Sequence, residues 1–362
     1  MSRAATDRIE RLALGAALFA LAGGIVLAFF ARSAIGPAYR LAAFAWLQPA
    51  VGSLIFALIH RITGGQWGES LGVYLQAGVR LLPWIWLLVL PLVYFHHPMP
   101  PPLGGKIAPH PLYLNRGFTL ARALLYGGGF VALGRATARS SRAALAAEAQ
   151  GRPSWAPGAL IALIILLHLL AADWFFPLEP GWFSTAFPIV WMAGAGIAGF
   201  SGAVGAALIA GARPGARGSA GRPVGIDWGN LLLTTVLFWT YLAFMQFLII
   251  WAENMPQELS WYLRRARGPW LVLIILLAIL HFGLPFLFLL SRRLKTSAAA
   301  LGGVAALLFA GQLALMAWMV LPAFPRPTPA ALTLELALLV AGGGFFLNRY
   351  LSIARRIGRE AA

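Results

Sequence analysis

Ten runs of about 20 apolar residues, each bounded by charge or by Pro/Gly clusters, leave this sequence few ways to fold. They are roughly Leu12 to Ala31, Tyr39 to Ile59, Gly72 to Phe95, Phe118 to Thr137, Ala159 to Phe176, Phe183 to Gly211, Asn230 to Trp251, Pro269 to Leu290, Ala298 to Leu321 and Ala330 to Leu347. In hydrocarbon a backbone must satisfy its own hydrogen bonds, as a helix or as part of a closed barrel. None of the runs alternates in the way barrel strands do, so all ten are read as helices. The expected fold class is an all-α polytopic membrane protein, one integral membrane domain over residues 1–362. Composition excludes the soluble alternative: 60% of residues are hydrophobic and 11% charged, against about 25% charged in an ordinary globular domain. The first run is long enough to span and remain, without the pattern of a cleaved signal.

The net charge of +17 acquires meaning once it is sorted by side of the membrane. With ten spans the two termini share a side, and 18 Lys and Arg fall there against 8 on the other, with Arg80 and Arg122 inside spans. The positive-inside rule then places both termini in the cytoplasm. No aromatic-basic interleaving accompanies the arginines, so nucleic acid is not an expected partner. The absence of cysteine excludes disulfides, thiolate zinc sites and an iron–sulfur cluster held by this chain. Residues 139–157 and 212–227, rich in Gly, Ala, Arg, Ser and Pro, read as flexible cytoplasmic linkers. A faint repeat relates the end of the third span, Tyr94 to Pro100, to the end of the seventh, Ile250 to Pro256, at an offset of 156 residues, as two similar bundles would.

Ionisable groups inside hydrocarbon cost about 2.5–3.5 kcal/mol even on lenient scales, so each needs a reason. His168 and His281 lie near the middle of the fifth and eighth spans. Three readings compete for them: hydrogen bonds between helices, a proton relay, or the two axial ligands of one haem. On the seventh span Trp239, Gln246 and Glu253 follow one another at seven-residue intervals, two turns each, and so share a helix face. With Tyr241 and Trp251 beside them, they could hold a polar headgroup or pass a proton outward; an ordinary aromatic belt is the plainer reading of Trp251. Asp173 near the end of the fifth span, Glu335 about a turn and a half inside the tenth, and His96 and His97 at the end of the third add acids and bases at the outer rim.

At the inner rim His60, Glu69 and Arg80 gather around the connection between the second and third spans. Glu69 and Arg80 are eleven residues apart, three turns, and share a face if the third helix begins near Trp67. Arg80 either snorkels back to the surface or marks the mouth of a proton path. The triplets Gly127-Gly128-Gly129 and Gly342-Gly343-Gly344 lie in hydrocarbon and read as close helix packing, not nucleotide loops.

The stretch Phe238 to Arg267 contains Trp239, Tyr241, Gln246, Leu248-Ile249-Ile250-Trp251, Glu253-Asn254-Met255-Pro256-Gln257-Glu258 and Trp261-Tyr262, and Gly268-Pro269-Trp270 follows it. It resembles the F subunit of bacterial alternative complex III, a quinone-binding subunit of quinol:cytochrome c oxidoreductase. His60 to Gly68, and Pro91 to Arg122 with His96-His97-Pro98, Lys106 and Tyr113-Leu114-Asn115, are similar to it too, so the likeness covers roughly 40% of the chain. Met255 and Gln257 depart from the commoner Leu and Glu of the family's run.

The resemblance implies an NrfD- and polysulfide-reductase-like subunit of two four-helix bundles and two peripheral helices. Residues 39–137 would supply helices of the first bundle, and residues 230–291 the helix pair carrying the motif. It also implies a bacterial inner-membrane location and partners: a multihaem cytochrome, an iron–sulfur protein and a homologous C-type membrane subunit. Haem and clusters would belong to those partners, and quinone or quinol would be this chain's only cofactor. Its expected role is proton transfer or quinone contact, with Gln246 and Glu253 as matched positions. The alternatives are a purely structural anchor of the complex and a secondary transporter, for which Pro285 inside the eighth span is the hint.

Overall fold

The structure is a computed structural model that describes residues 3–95, 113, 115–139, 154–179, 181–325 and 327–361. Among them, ten helices are long and apolar enough to cross a membrane. They are Asp7–Phe30, Arg32–Thr63, Gln66–Val93, Arg116–Ala138, Ala156–Leu178, Phe187–Ile209, Val224–Glu253, Pro269–Leu290, Ala298–Ala323 and Pro329–Glu360. The described residues form no strand, only an isolated bridge between Arg217 and Pro223. The protein is a multi-pass helical membrane protein.

The second to fifth spans form one four-helix bundle and the sixth to ninth another, and the packing order repeats. In each bundle the opening helix lies against the next helix and the last, and the third helix bridges those two. The closing helix of each bundle ends in a 3-10 turn centred on proline, Phe176–Leu178 in one and Leu321–Ala323 in the other. Proline at that place has no N–H for the helix ladder and so stops it.

The bundles join where the second span meets the sixth at glycines. A Cβ on Gly52 would fall 1.7 Å from the Ala195 carbonyl oxygen, and one on Gly199 would fall 2.3 Å from the Gly52 carbonyl carbon. Backbone therefore rests on backbone, which only hydrogen side chains allow.

The first and tenth spans pair with each other beside the first bundle. Gly344 admits the Ala13 backbone, and the Trp46 indole sits over Gly342 and Gly343 while donating to the Leu339 carbonyl at 2.9 Å. Arg355 hydrogen-bonds Asp7 and Glu10, which brings both ends of the chain to one side, hereafter the terminal face.

The third span bends at Leu81, between the helices Gln66–Arg80 and Leu82–Val89, because Pro83 opens the second of them. Residues 212–227, expected as a flexible linker, are instead a folded turn. Gly225 donates to the Pro214 carbonyl, Val224 to Ala216 and Gly218 to Arg222, and Asp227 already lies in the first turn of the seventh span. Of the other expected linker, residues 140–153 lie outside the described residues.

Candidate functional site

The eighth span is regular over Pro269–Leu277, widens into a π turn over Ala278–Gly283 and resumes at Leu284–Leu290. Pro285 explains the widening: it cannot donate to the carbonyl of His281, four residues back, and its ring would press on that carbonyl. The helix continues through the turn, so Pro285 creates no unwound segment of the kind a transporter site would use.

His281, inside that turn, is fully buried. Its Nε2 lies 2.9 Å from the amide nitrogen of Gln312 on the ninth span, and Trp239 of the seventh meets the imidazole edge-on with ring centres 5.3 Å apart. Two glycines make the fit. A Cβ at Gly311 would lie 2.2 Å from His281 Nδ1, and one at Gly194 would lie 2.9 Å from Gln312 Oε1. His281 Nδ1, Gln312 Oε1 and Trp239 Nε1 are buried without a hydrogen-bond partner among the described residues.

An orphaned buried polar atom costs about 1–3 kcal/mol, so three at one place mark a spot suited to holding a water or a polar ligand group. When the Gln312 amide donates to Nε2, the ring proton sits on Nδ1; with the amide turned over, the roles exchange. Either way, one polar atom of the ring and one of the amide remain available. Gln312 is the lone glutamine of the apolar run Ala298–Val320, a milder signal than a histidine and one that gains meaning only beside His281.

Gln246, two turns beyond Trp239, is also buried but hydrogen-bonds neither His281 nor Glu253. Glu253 and Trp251 are exposed, at the point where the seventh helix ends on Asn254 with φ 51°. The seven-residue spacing thus puts Trp239 and Gln246 inside the bundle, while Glu253 lies past it.

The first bundle carries a second buried centre. Asp173 accepts from Arg122 Nε at 2.7 Å, from the Tyr126 hydroxyl at 2.6 Å and from the Tyr113 hydroxyl at 2.5 Å. The Arg122 guanidinium lies 3.9 Å from the Tyr113 ring centre and donates to the Tyr113 carbonyl. Burial, with Asp173 adding to it, pushes the Tyr113 phenol up to about 12. Asp173, expected at the outer rim, is instead buried against Arg122, whose place inside the fourth span is accommodated by this acid on the neighbouring helix.

The two centres draw on corresponding helices of the two bundles. The third helix of each bundle supplies one polar side chain (Tyr126, His281) and the fourth another (Asp173, Gln312). Tyr126 and His281 are 155 residues apart, close to the 156 of the sequence repeat, whereas Asp173 and Gln312 are 139 apart, so only the third-helix residues keep that register.

At the face opposite the termini, the helix Pro256–Arg265 clamps the bundle ends. Arg265, fully buried, lies 3.2 Å over the Trp261 ring, donates to the Met319 carbonyl at 2.8 Å and sits 3.6 Å from Glu179. Arg264 pairs with the same Glu179 at 2.8 Å, and Trp261 stacks on Trp182 at 4.2 Å. Burial pushes the Arg265 guanidinium down to about 9, and Glu179 opposes that shift. This part of the family-like block is a structural clasp.

At the terminal face His60, Glu69 and Arg80 do not meet. The His60 ring lies 3.1 Å from the Gly65 carbonyl and edge-on to Trp67. Glu69 accepts from Ser219 at 2.8 Å, and Arg80 reaches Glu360 at 3.9 Å, the snorkelling geometry. Between them Gln66 donates to Asp227 at 2.7 Å and accepts from the Ala220 N–H at 3.0 Å, while Lys295 donates to Asn230 at 2.6 Å. Glu335 is buried, and His168 half-buried, without a side-chain hydrogen bond or ion pair among the described residues. His96 and His97 lie outside the described residues.

A scan against protein-family models finds no match, and a search of curated proteins finds none either.

Proposed function

We propose that this chain is a membrane subunit of a bacterial respiratory quinol:cytochrome c oxidoreductase of the alternative complex III type. In this reading it serves in proton transfer or quinone contact in the inner membrane, with both termini cytoplasmic. Haem and iron–sulfur centres are assigned to partner subunits, the multihaem cytochrome and the iron–sulfur protein, and a C-type membrane subunit pairs with this one. The sequence resemblance supports the complex, and the 18-to-8 division of basic residues supports the orientation.

The observation that carries the role is the pair His281 and Gln312, buried at span depth with one polar atom of each left free. An imidazole tied through one nitrogen can take up a proton at one ring position and release it from the other. The same free N–H or acceptor could hold a quinone oxygen. In the assembled complex, His281→Ala is expected to lower quinol-dependent cytochrome c reduction, or its proton yield, by about tenfold or more. Glu253→Gln, at an exposed helix end, is expected to leave both unchanged. A His281→Ala complex with its full haem content and wild-type rate and proton yield would reduce the chain to a structural anchor.

A further inference from the structure

At the face opposite the termini, where the two bundles meet, lies a cavity of about 100 Å³ that the proposed role does not use. The 3-10 turns closing the fifth and ninth spans converge there. The walls are Arg40 and Phe44 of the second span, Leu92 at the end of the third, Trp174 near the end of the fifth, and Ala323 and Phe324 at the end of the ninth. Arg40 is thus level with the ends of three spans, the depth at which lipid headgroups lie.

The Arg40 guanidinium donates once, from Nη2 to the Phe95 carbonyl at 3.0 Å, and lies 5.4 Å over the Phe324 ring. It has no ion pair among the described residues. The nearby acids are already committed, Asp173 to Arg122 and Glu179 to Arg264 and Arg265. A guanidinium carries five N–H donors in a planar fork suited to oxyanions, and one held against aromatic walls favours a counter-charge.

We propose that this cavity is a phosphate-binding site with Arg40 as its cation, the phosphate being either free or carried on a lipid headgroup. The volume admits the oxyanion and excludes an acyl chain, which would stay outside.

The test uses the full chain, purified in a phosphate-free detergent, with thermal midpoint and tryptophan fluorescence as readouts. It is titrated with inorganic phosphate, or with phosphatidic acid in mixed micelles, against potassium chloride of equal ionic strength. A saturable rise in midpoint with inorganic phosphate identifies a free anion, and a rise with phosphatidic acid alone identifies the headgroup. Arg40→Gln should weaken either response about tenfold or more, the scale of one lost charge-assisted hydrogen bond. Ala323→Trp, which fills the cavity and keeps Arg40, should abolish it even if Arg40→Gln fails to fold. No response in the wild type, or an undiminished response in Ala323→Trp, overturns the proposal.

Discussion

Asp173 and Arg122 show how a charge survives inside an apolar bundle. The carboxylate has three donors within 2.7 Å, and the guanidinium has the carboxylate, a backbone carbonyl and an aromatic face. Removing one partner strands the other, at a cost of about 3–5 kcal/mol, whereas removing both leaves no buried charge. Asp173→Asn should therefore unfold more easily in detergent than the double variant Arg122→Met/Asp173→Leu, as denaturation midpoints would show.

Lys295 gives a pH signature. Burial, reinforced by Arg292, holds its ammonium below the ordinary lysine value of 10.5. The folded chain then releases this proton at lower pH than the unfolded chain, so stability rises with pH across the interval ending at 10.5. Lys295→Met should flatten that rise when midpoints are compared between about pH 8 and about pH 10; an equal slope in both proteins would contradict the assignment.

At this scale the sequence reveals which residues are costly but not whom they meet. His281 is conspicuous in an apolar run, while Gln312, a milder residue, becomes notable only beside it. Glu253 shares a helix face with Gln246, yet a periodicity cannot tell where the helix leaves its bundle.

Helices are the level at which sequence speaks most plainly here, because hydrocarbon permits little else. All ten apolar runs are helices in the structure, several of them starting six or seven residues earlier and the tenth running on to Glu360, 13 residues past its expected end at Leu347, because helix continues into the polar flanks that hydropathy leaves out. Their local distortions follow from prolines: the bend before Pro83, the π turn before Pro285 and the 3-10 endings at Pro177 and Pro322. The turn over residues 212–227 was not legible, because Gln66 orders it from far away in the chain. Composition alone suggested mobility there.

Helix contacts also make the glycine triplets interpretable. Gly127 takes the Trp86 indole and Gly129 faces Leu166, while Gly128 meets open space. The most demanding glycine contact is Gly52 against Ala195, where the obstacle is backbone and cannot rotate away. Gly52→Val should force the second and sixth spans apart and abolish a stable fold. Gly205→Ala, with nothing within 4 Å of the added Cβ, should be neutral or slightly stabilising. Yield and thermal midpoint of the purified variants distinguish the two, and a well-folded Gly52→Val chain would refute the backbone contact.

Across the whole molecule, two bundles of like packing each hold a buried polar centre built from their third and fourth helices. One centre is closed, with Asp173 surrounded by donors; the other, at His281, keeps unpartnered atoms. That asymmetry makes the second bundle the working half in the proposed role, and the absence of cysteine means that electrons would travel through partners.

The most direct test is affinity purification of the tagged chain from its native membranes in mild detergent. The account predicts that haem-bearing and iron–sulfur-bearing subunits come with it, and that the preparation shows a reduced-minus-oxidised haem spectrum and quinol-dependent cytochrome c reduction. A chain that emerges alone, with a flat difference spectrum and no such activity, would contradict it.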